Sequence, residues 1–552
     1  MNSKTNHTKV MISANFKPHL LMPYKDERPA AYADRVGHSL AAFTAPEHKK
    51  RFGQYLTPLG IADFMARICT LSTSPVRVLD PGAGVGILSC ALFEALAKRR
   101  TDSLEIQLDA YEHDAQLLFY LESCLEYARQ WLLTRGIRLK YKIYPEDFVL
   151  RHAQTLDNPP RLFPAEDTER SKYDVVISNP PYFKIPKSDP RAQAAAAVVH
   201  GQPNIYALFM AVSASLLKPG GELIFIVPRS FAAGPYFYLF RERFFAMMQP
   251  KAIHLFGSRS DAFGRDEILQ ENIILLTRRA DGWFTLPDEG KVEISFSEGV
   301  RDLQARRVRS LTTSEVLDVR TRDKILRIPV ALEDEDISRL VRSWTGSLHA
   351  YGMDISTGPV VPFRAVAALS KSGEVPGTHA PLLWMQNIIP MGVKWPVNIK
   401  DKEQYIEINE RSLPLLVPNR NYILMRRFSA KEAARRLIAA PLLAGDLGSS
   451  LIGLENHLNY VHRRGGSLSE EEIYGLAALF NSSVIDTYFR TFSGNTQVSA
   501  TEIRAMPLPS LELIKEIGKR VMLFKQDAEK IEAVVADLIP IDSHPNPRNA
   551  NA

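Results

Sequence analysis

Residues Val76-Arg77-Val78-Leu79-Asp80 form a short, β-branched apolar run. Pro81-Gly82-Ala83-Gly84-Val85-Gly86 follows, and then the Ala- and Leu-rich stretch Ile87 to Lys98. A strand, a glycine turn and a helix, in that order, open a doubly wound α/β domain with a mostly parallel sheet. Glycine lets the backbone approach a ligand closely. A dinucleotide fold would show GxGxxG with helix amides facing a pyrophosphate. Here the spacing is GxGxG, and the acid Asp80 at the strand end repels phosphate. A bare tight turn is the bland alternative.

An acid beside a glycine loop suits a cationic ligand, such as the amino group and sulfonium of S-adenosylmethionine. The next strand, Ile106 to Glu112, ends in a carboxylate placed to accept from both ribose hydroxyls, with Glu112 the first choice and Asp114 the second. A third strand, Leu139 to Tyr144, precedes Asp147-Phe148. Asp147 can accept from an adenine amino group while Phe148 covers the ring. Upstream, Thr57-Pro58 opens a helix over Ile61 to Leu71. Thr57 reads either as that helix's N-cap or as part of a segment closing over the methionine end of the cofactor.

The run Tyr173-Asp174-Val175-Val176-Ile177-Ser178 reads as a buried strand and stops at Asn179-Pro180-Pro181-Tyr182. An amide oxygen, a proline carbonyl and an aromatic face at a strand's carboxyl end suit a planar substrate bearing an NH2 group. Asn158-Pro159-Pro160-Arg161 repeats the first three letters with neither a strand before it nor an aromatic after it, and reads as loop.

Taken together, GQYLTP at 53–58, DPGAGVG at 80–86, YEHD at 111–114, EDF at 146–148, NPPY at 179–182, PNIYALF at 203–209 and LLKPGGELIFIVP at 216–228 resemble the TaqI/PstI-type, gamma-class adenine-N6 DNA methyltransferases of restriction–modification systems. The resemblance implies a class I S-adenosylmethionine-dependent methyltransferase fold followed by a mixed α/β target-recognition domain. It implies methylation of a flipped-out adenine in double-stranded DNA. Asn179, Pro180, Pro181 and Tyr182 would be catalytic. Thr57, Asp80, Gly82, Gly84, Gly86, Glu112, Asp147 and Phe148 would hold the cofactor. Tyr182 and Phe263 would stack on the base, with Phe256 competing for the second role. Any restriction activity would belong to a separate cognate endonuclease. The same catalytic motif also serves RNA bases and protein glutamines, and a DNA-binding protein with a vestigial cofactor site is the non-enzymatic alternative.

At 552 residues the chain is too long for one core. The organisation expected is an N-terminal extension (1–45), a methyltransferase domain (46–290), a recognition domain (291–510) and a C-terminal helix and tail (511–552). Three cysteines without CxxC spacing suggest no metal site and fit a reducing bacterial cytoplasm, and no apolar run is long enough for a membrane span. The net charge of +6 permits a polyanionic partner. Arginine pairs at 278–279, 306–307, 426–427, 435–436 and 463–464 predict a basic surface on the second half, whose tryptophans read as core. Ile514, Ile517, Val521, Phe524, Ala528, Ile531, Val535 and Leu538 make one heptad stripe, expected to pack within the chain.

Overall fold

The computed structural model describes residues 22–541 apart from 46, 49–52, 54–55, 72–73, 100–103, 157–171, 258–270, 286–289, 319–322, 330, 372–376, 431–432, 494–495 and 525. Contacts divide the chain into two compact units. The first is built from residues up to Ser314, apart from Ala232–Pro235, and the second mainly from Ile325 onward.

The first unit is organised by a nine-stranded sheet of order β3-β2-β1-β4-β5-β7-β6-β8-β9. Its strands are β1 (Val76–Asp80), β2 (Glu105–Tyr111), β3 (Arg138–Tyr144), β4 (Tyr173–Ser178), β5 (Leu217–Pro228), β6 (Met248–Phe256), β7 (Asn272–Arg279), β8 (Lys291–Ser297) and β9 (Arg307–Thr312). The first five are mutually parallel, whereas β7 runs antiparallel to both β5 and β6. In β4 every residue but Asp174 is buried, as expected of a strand covered on both faces. The strand order reverses between β1 and β4, which is where open α/β sheets bind ligands.

Two borders differ from the sequence expectation. Strands β8 and β9 continue the first sheet, so the unit ends near 314 rather than 290. Short strands separated by turns hid that continuation. At the other end, α1 (Pro29–Ala41) is built into the core, with Ala30, Tyr32, Ala33 and Val36 buried. Arg28 fastens its start by donating to Asp63 Oδ1 and to Glu94 Oε2, both at 2.8 Å, and the Ala30 amide donates to Glu94 Oε1 at 2.7 Å.

The second unit contains a four-stranded sheet (Met353–Thr357, Leu458–Arg463, Tyr422–Arg426, Ala439–Leu442) and a five-stranded one, with helices on the former. Its tryptophans are core elements: Trp384 is buried and donates to the Glu403 carbonyl at 2.6 Å, and Trp395 donates to that of Gln404 at 3.1 Å. The heptad stripe does pack within the chain, but as two helices, Leu511–Val521 and Ala528–Leu538. Asp527 caps the second by accepting from the Lys530 amide at 3.2 Å, which leaves Ala528 exposed.

The arginine pairs are largely spent on the fold. Arg278 meets Glu222, Arg306 meets Glu293, Arg435 meets Glu532, Arg463 meets Glu472 and Arg464 meets Asp354, while Arg436 is buried. They staple the chain to itself and do not by themselves define a basic surface.

Helix Glu470–Asn481, started by a Ser469/Glu472 capping box, crosses helix Leu511–Val521 with backbones in contact. A Cβ on Gly475 would lie 1.9 Å from the Ile514 carbonyl oxygen, and one on Gly518 2.0 Å from that of Glu471. Gly475→Ala must therefore push the helices apart, at a cost of about 3 kcal/mol or more. Thermal unfolding should show a lowered transition, and an unchanged midpoint would refute this crossing.

Candidate cofactor and catalytic site

The carboxyl ends of β1 to β4 open on a cavity of about 410 Å³, within the range of small-molecule sites, about 300–1,000 Å³. Gly82 and Gly84 line it. Gly84 has φ +57°, a conformation that favours glycine. Gly86 plays another part: a Cβ there would lie 3.0 Å from Leu121 Cδ1, so this glycine lets the helix Ala115–Leu133 pack closely and is not itself on the cavity wall.

Asp80 also sits behind the wall. It is fully buried; its Oδ2 accepts from Ser89 Oγ at 2.8 Å, and Oδ1 has no hydrogen-bond partner among the described residues. Burial pushes its pKa up to about 7, against the pull of Ser89 and the Gly82 amide. Its carboxyl therefore braces the glycine loop in this geometry, rather than meeting a ligand's positive charge directly as the sequence suggested.

Glu112 does face the cavity. Its Oε2 accepts from the Gly84 amide at 2.8 Å and its Oε1 from the Asp114 amide at 2.7 Å. Each oxygen keeps a second lone pair, which suits the two adjacent hydroxyls of a ribose. Burial raises the Glu112 pKa to about 7. Asp114, the second choice, is committed elsewhere: it caps its helix through the Gln116 amide at 3.0 Å and meets His48 Nε2 at 2.7 Å. Asp147 and Phe148 line the cavity. Asp147 accepts from the Leu150 amide at 3.0 Å, and its other oxygen lies 3.7 Å from Arg191 Nη1.

Asn179 and Pro181 reach the same cavity from the end of β4. The Asn179 amide is gripped at both ends. Its Nδ2 donates to Thr57 Oγ1 at 3.0 Å, and the Tyr182 hydroxyl donates to its Oδ1. The Tyr182 hydroxyl also lies 2.8 Å from the Ile226 carbonyl oxygen. Thr57 is not an N-cap: the helix starts at Leu59 with Pro58 in the cap position, which frees the threonine hydroxyl for Asn179. Pro180 and Tyr182 are buried beside the cavity. Phe256 packs in the core against His254, and Phe263 lies outside the described residues.

Several wall residues escaped the sequence reading. Gly37, Leu40, Ala41 and Thr44 bring α1 and its end onto the cavity. Phe183, Arg191 and Phe209 also line it, and the Phe209 ring lies 5.4 Å from that of Phe148. Phe209 sits within the PNIYALF motif, so its position was available as a signal. Acids Glu112, Glu146 and Asp147 face the cavity, while Arg191 is paired to Asp189 at 2.7 Å. Such a wall suits a ligand that donates hydrogens and carries positive charge. It opposes a phosphorylated one. An acceptor pair for a diol, an acceptor for an amino group and aromatic walls together fit S-adenosylmethionine.

The family model for the Eco57I restriction-modification methylase matches residues 95–263. The type II methyltransferase M.BsuBI of Bacillus subtilis is 32% identical over 490 residues, covering 88% of this chain and 93% of its own. The type II methyltransferase M.PstI of Providencia stuartii is 29% identical, covering 88% and 92%. Among solved structures, the type IIG restriction endonuclease BpuSI aligns with a TM-score of 0.41 at 15% identity, over 93% of this chain and 69% of that one.

Proposed function

This chain belongs to the type II restriction–modification DNA methyltransferases, and from that premise we propose that it methylates N6 of an adenine within a specific sequence of duplex DNA. S-Adenosylmethionine is the methyl donor of this class. The observation that carries the adenine reading is the Asn179 amide. It is fixed at both ends and opens onto the cavity that also holds Glu112 and Asp147.

When bound, S-adenosylmethionine supplies a methyl carbon activated by a sulfonium. Glu112 would hold its ribose, Asp147 its adenine amino group, and Phe148 and Phe209 the ring. The target adenine is stacked in a duplex and must be extruded to be reached. Its amino lone pair is delocalised into the ring. Accepting the N6 hydrogens on Asn179 Oδ1 and the Pro180 carbonyl pulls that lone pair back onto nitrogen. Most of the acceleration then comes from positioning and fixed dipoles. Tyr182 orients Asn179 through its hydroxyl and offers its ring to the base, with Phe263 our candidate for the opposite face. The second unit would read the sequence. A cognate endonuclease would be a separate cytoplasmic protein acting on the same DNA.

Incorporation of labelled methyl from S-adenosylmethionine into DNA, followed by sequencing for modified adenine, tests this. Label found in ribosomal RNA or release factor but not DNA would end it. Thr57→Val removes one anchor of Asn179. Loss of a hydrogen bond worth about 1 kcal/mol should lower kcat about fivefold, with S-adenosylhomocysteine binding nearly unchanged in calorimetry.

A further inference from the structure

Charges around the cavity are sorted by side. Glu112, Glu146 and Asp147, beyond the ends of β2 and β3, face the cavity itself. The loops that leave β4 and β5, residues 179–204 and 229–237, contain one acid between them, Asp189. Arg191 neutralises it, donating from Nε and Nη2 to its two oxygens at 2.9 and 2.7 Å. Arg229 is likewise paired, to Glu271 at 3.1 Å. Lys184 and Lys187 are the surplus. Both are exposed, and neither meets a carboxylate among the described residues.

The two lysines stand on backbone that is already fixed. Phe183 and Arg191, on either side of them in sequence, line the cavity. Lys184 forms a β-bridge with Asn204. The Ile185 amide donates to the Pro203 carbonyl and the Ile205 amide to that of Phe183, both at 3.0 Å. Ile185 is buried, so the alternation of extended chain turns Lys184 outward.

An exposed aromatic adjoins them. Tyr236 is 53% exposed, yet its ring lies against Gly201, where a Cβ would fall 2.3 Å from Tyr236 Cδ1. His200 meets the Tyr238 ring edge-on at 4.5 Å. Between these two tyrosines, Phe237 stacks on Tyr206 at 5.6 Å, and Tyr206 meets Tyr182 at 6.3 Å. Contacts thus run without a break from the Asn179–Tyr182 corner to Tyr236, and from Tyr236 through the 201–204 turn to Lys184.

We propose that this rim grips the duplex beside the target adenine, with Lys184 and Lys187 on backbone phosphates and Tyr236 packed on an adjoining sugar. This rests on DNA being the substrate. Loops whose single acid is neutralised internally present net positive charge to solvent, and a polyanion is the ligand that such a surface draws. The acidic cavity wall has the opposite sign, so cofactor and backbone are directed to different sides of one opening. Contacts of this kind fix the register of the duplex and carry no base preference.

The test uses the full-length enzyme with a duplex carrying its recognised site, found by mapping modified adenine in treated DNA, and with a random-sequence duplex of equal length. Kd is measured between 50 and 200 mM salt. Lys184→Ala and Lys187→Ala should each flatten the slope of log Kd against log salt by about 1, and the double variant by about 2. Tyr236→Ala should raise Kd about fivefold with the slope unchanged. Both duplexes should weaken alike, the recognised sequence should stay the same, and S-adenosylhomocysteine should bind as to wild type. Arginine at both lysine positions should restore the wild-type slope. An unchanged slope in the double alanine variant, or weakening confined to the recognised site, overturns the proposal while leaving adenine methylation intact. A wild-type enzyme that neither binds nor methylates DNA overturns the reading beneath it as well.

Discussion

Asn179→Ala should abolish methyl transfer, lowering kcat by about 10²- to 10³-fold or more, while S-adenosylhomocysteine still binds. In the proposed mechanism the amide supplies the acceptor for the target amino group. Its neighbours are already matched to it, Thr57 to the nitrogen and Tyr182 to the oxygen. Truncation therefore removes the donor to Thr57 Oγ1 and one of the two acceptors near the Tyr182 hydroxyl, as well as the substrate's acceptor. Asn179→Asp is the sharper variant. It keeps an acceptor but loses the donor to Thr57 and places a negative charge at the site. Partial activity in Asn179→Asp with none in Asn179→Ala would single out the acceptor role. Near-normal single-turnover rates in Asn179→Ala would sink the catalytic assignment.

The second large effect falls on Glu112. Glu112→Gln replaces one acceptor oxygen with an NH2 that must face the Gly84 or Asp114 amide, or a ribose hydroxyl. Losing two charge-assisted hydrogen bonds should cost about 3 kcal/mol or more, over 100-fold in Kd for S-adenosylmethionine. The wild-type site should also respond to pH. Folding raises the Glu112 pKa from the ordinary carboxylate range to about 7. Between roughly pH 4 and 7 the folded, ligand-free chain therefore holds a proton there that the unfolded chain has lost. This group's contribution to stability falls as pH rises through that window and is flat above it. Ligand binding runs the other way. The carboxylate form accepts from the ribose, so affinity should climb as pH rises from 5 to 7, by up to about tenfold per unit, and then level off. Titration calorimetry across this range would show the slope, and Glu112→Gln should remove most of it. A flat wild-type profile would mean Glu112 does not carry the ribose.

How legible the site was in the sequence depended on whether its chemistry was local. Glu112, Asp147 and Asn179 each follow a strand, and a strand's end is readable from its pattern; all three line the cavity. Asp80 follows a strand too, yet its side chain turned under the loop toward Ser89, a partner nine positions on. No linear pattern encodes that turn. Thr57 looked like a cap because Thr-Pro is a common helix start, but the hydroxyl went to Asn179, far along the chain. The wall supplied by α1 was missed because Tyr32 and Val36 are the only large apolar residues on its buried face, the rest being Pro29, Ala30, Ala33 and Gly37, too sparse a pattern to mark a packed helix. The arginine pairs, two in the first unit and three in the second, misled for a related reason: clustering in sequence says nothing of whether a carboxylate waits opposite. The heptad stripe was real, and only the break at Asp527 was not foreseen, since a polar residue between heptads suits a linker and a cap alike.

The placement of α1 on the cavity wall ties occupancy to the anchoring of the amino-terminal segment. Any molecule that fills the space must oppose detachment of that helix, by about 2.7 kcal/mol at a hundredfold excess over Kd. Amide hydrogens between Ala30 and Ala41, or a protease acting near Arg28, would then work as a gauge of whether the donor is loaded, read at a distance from the chemistry itself.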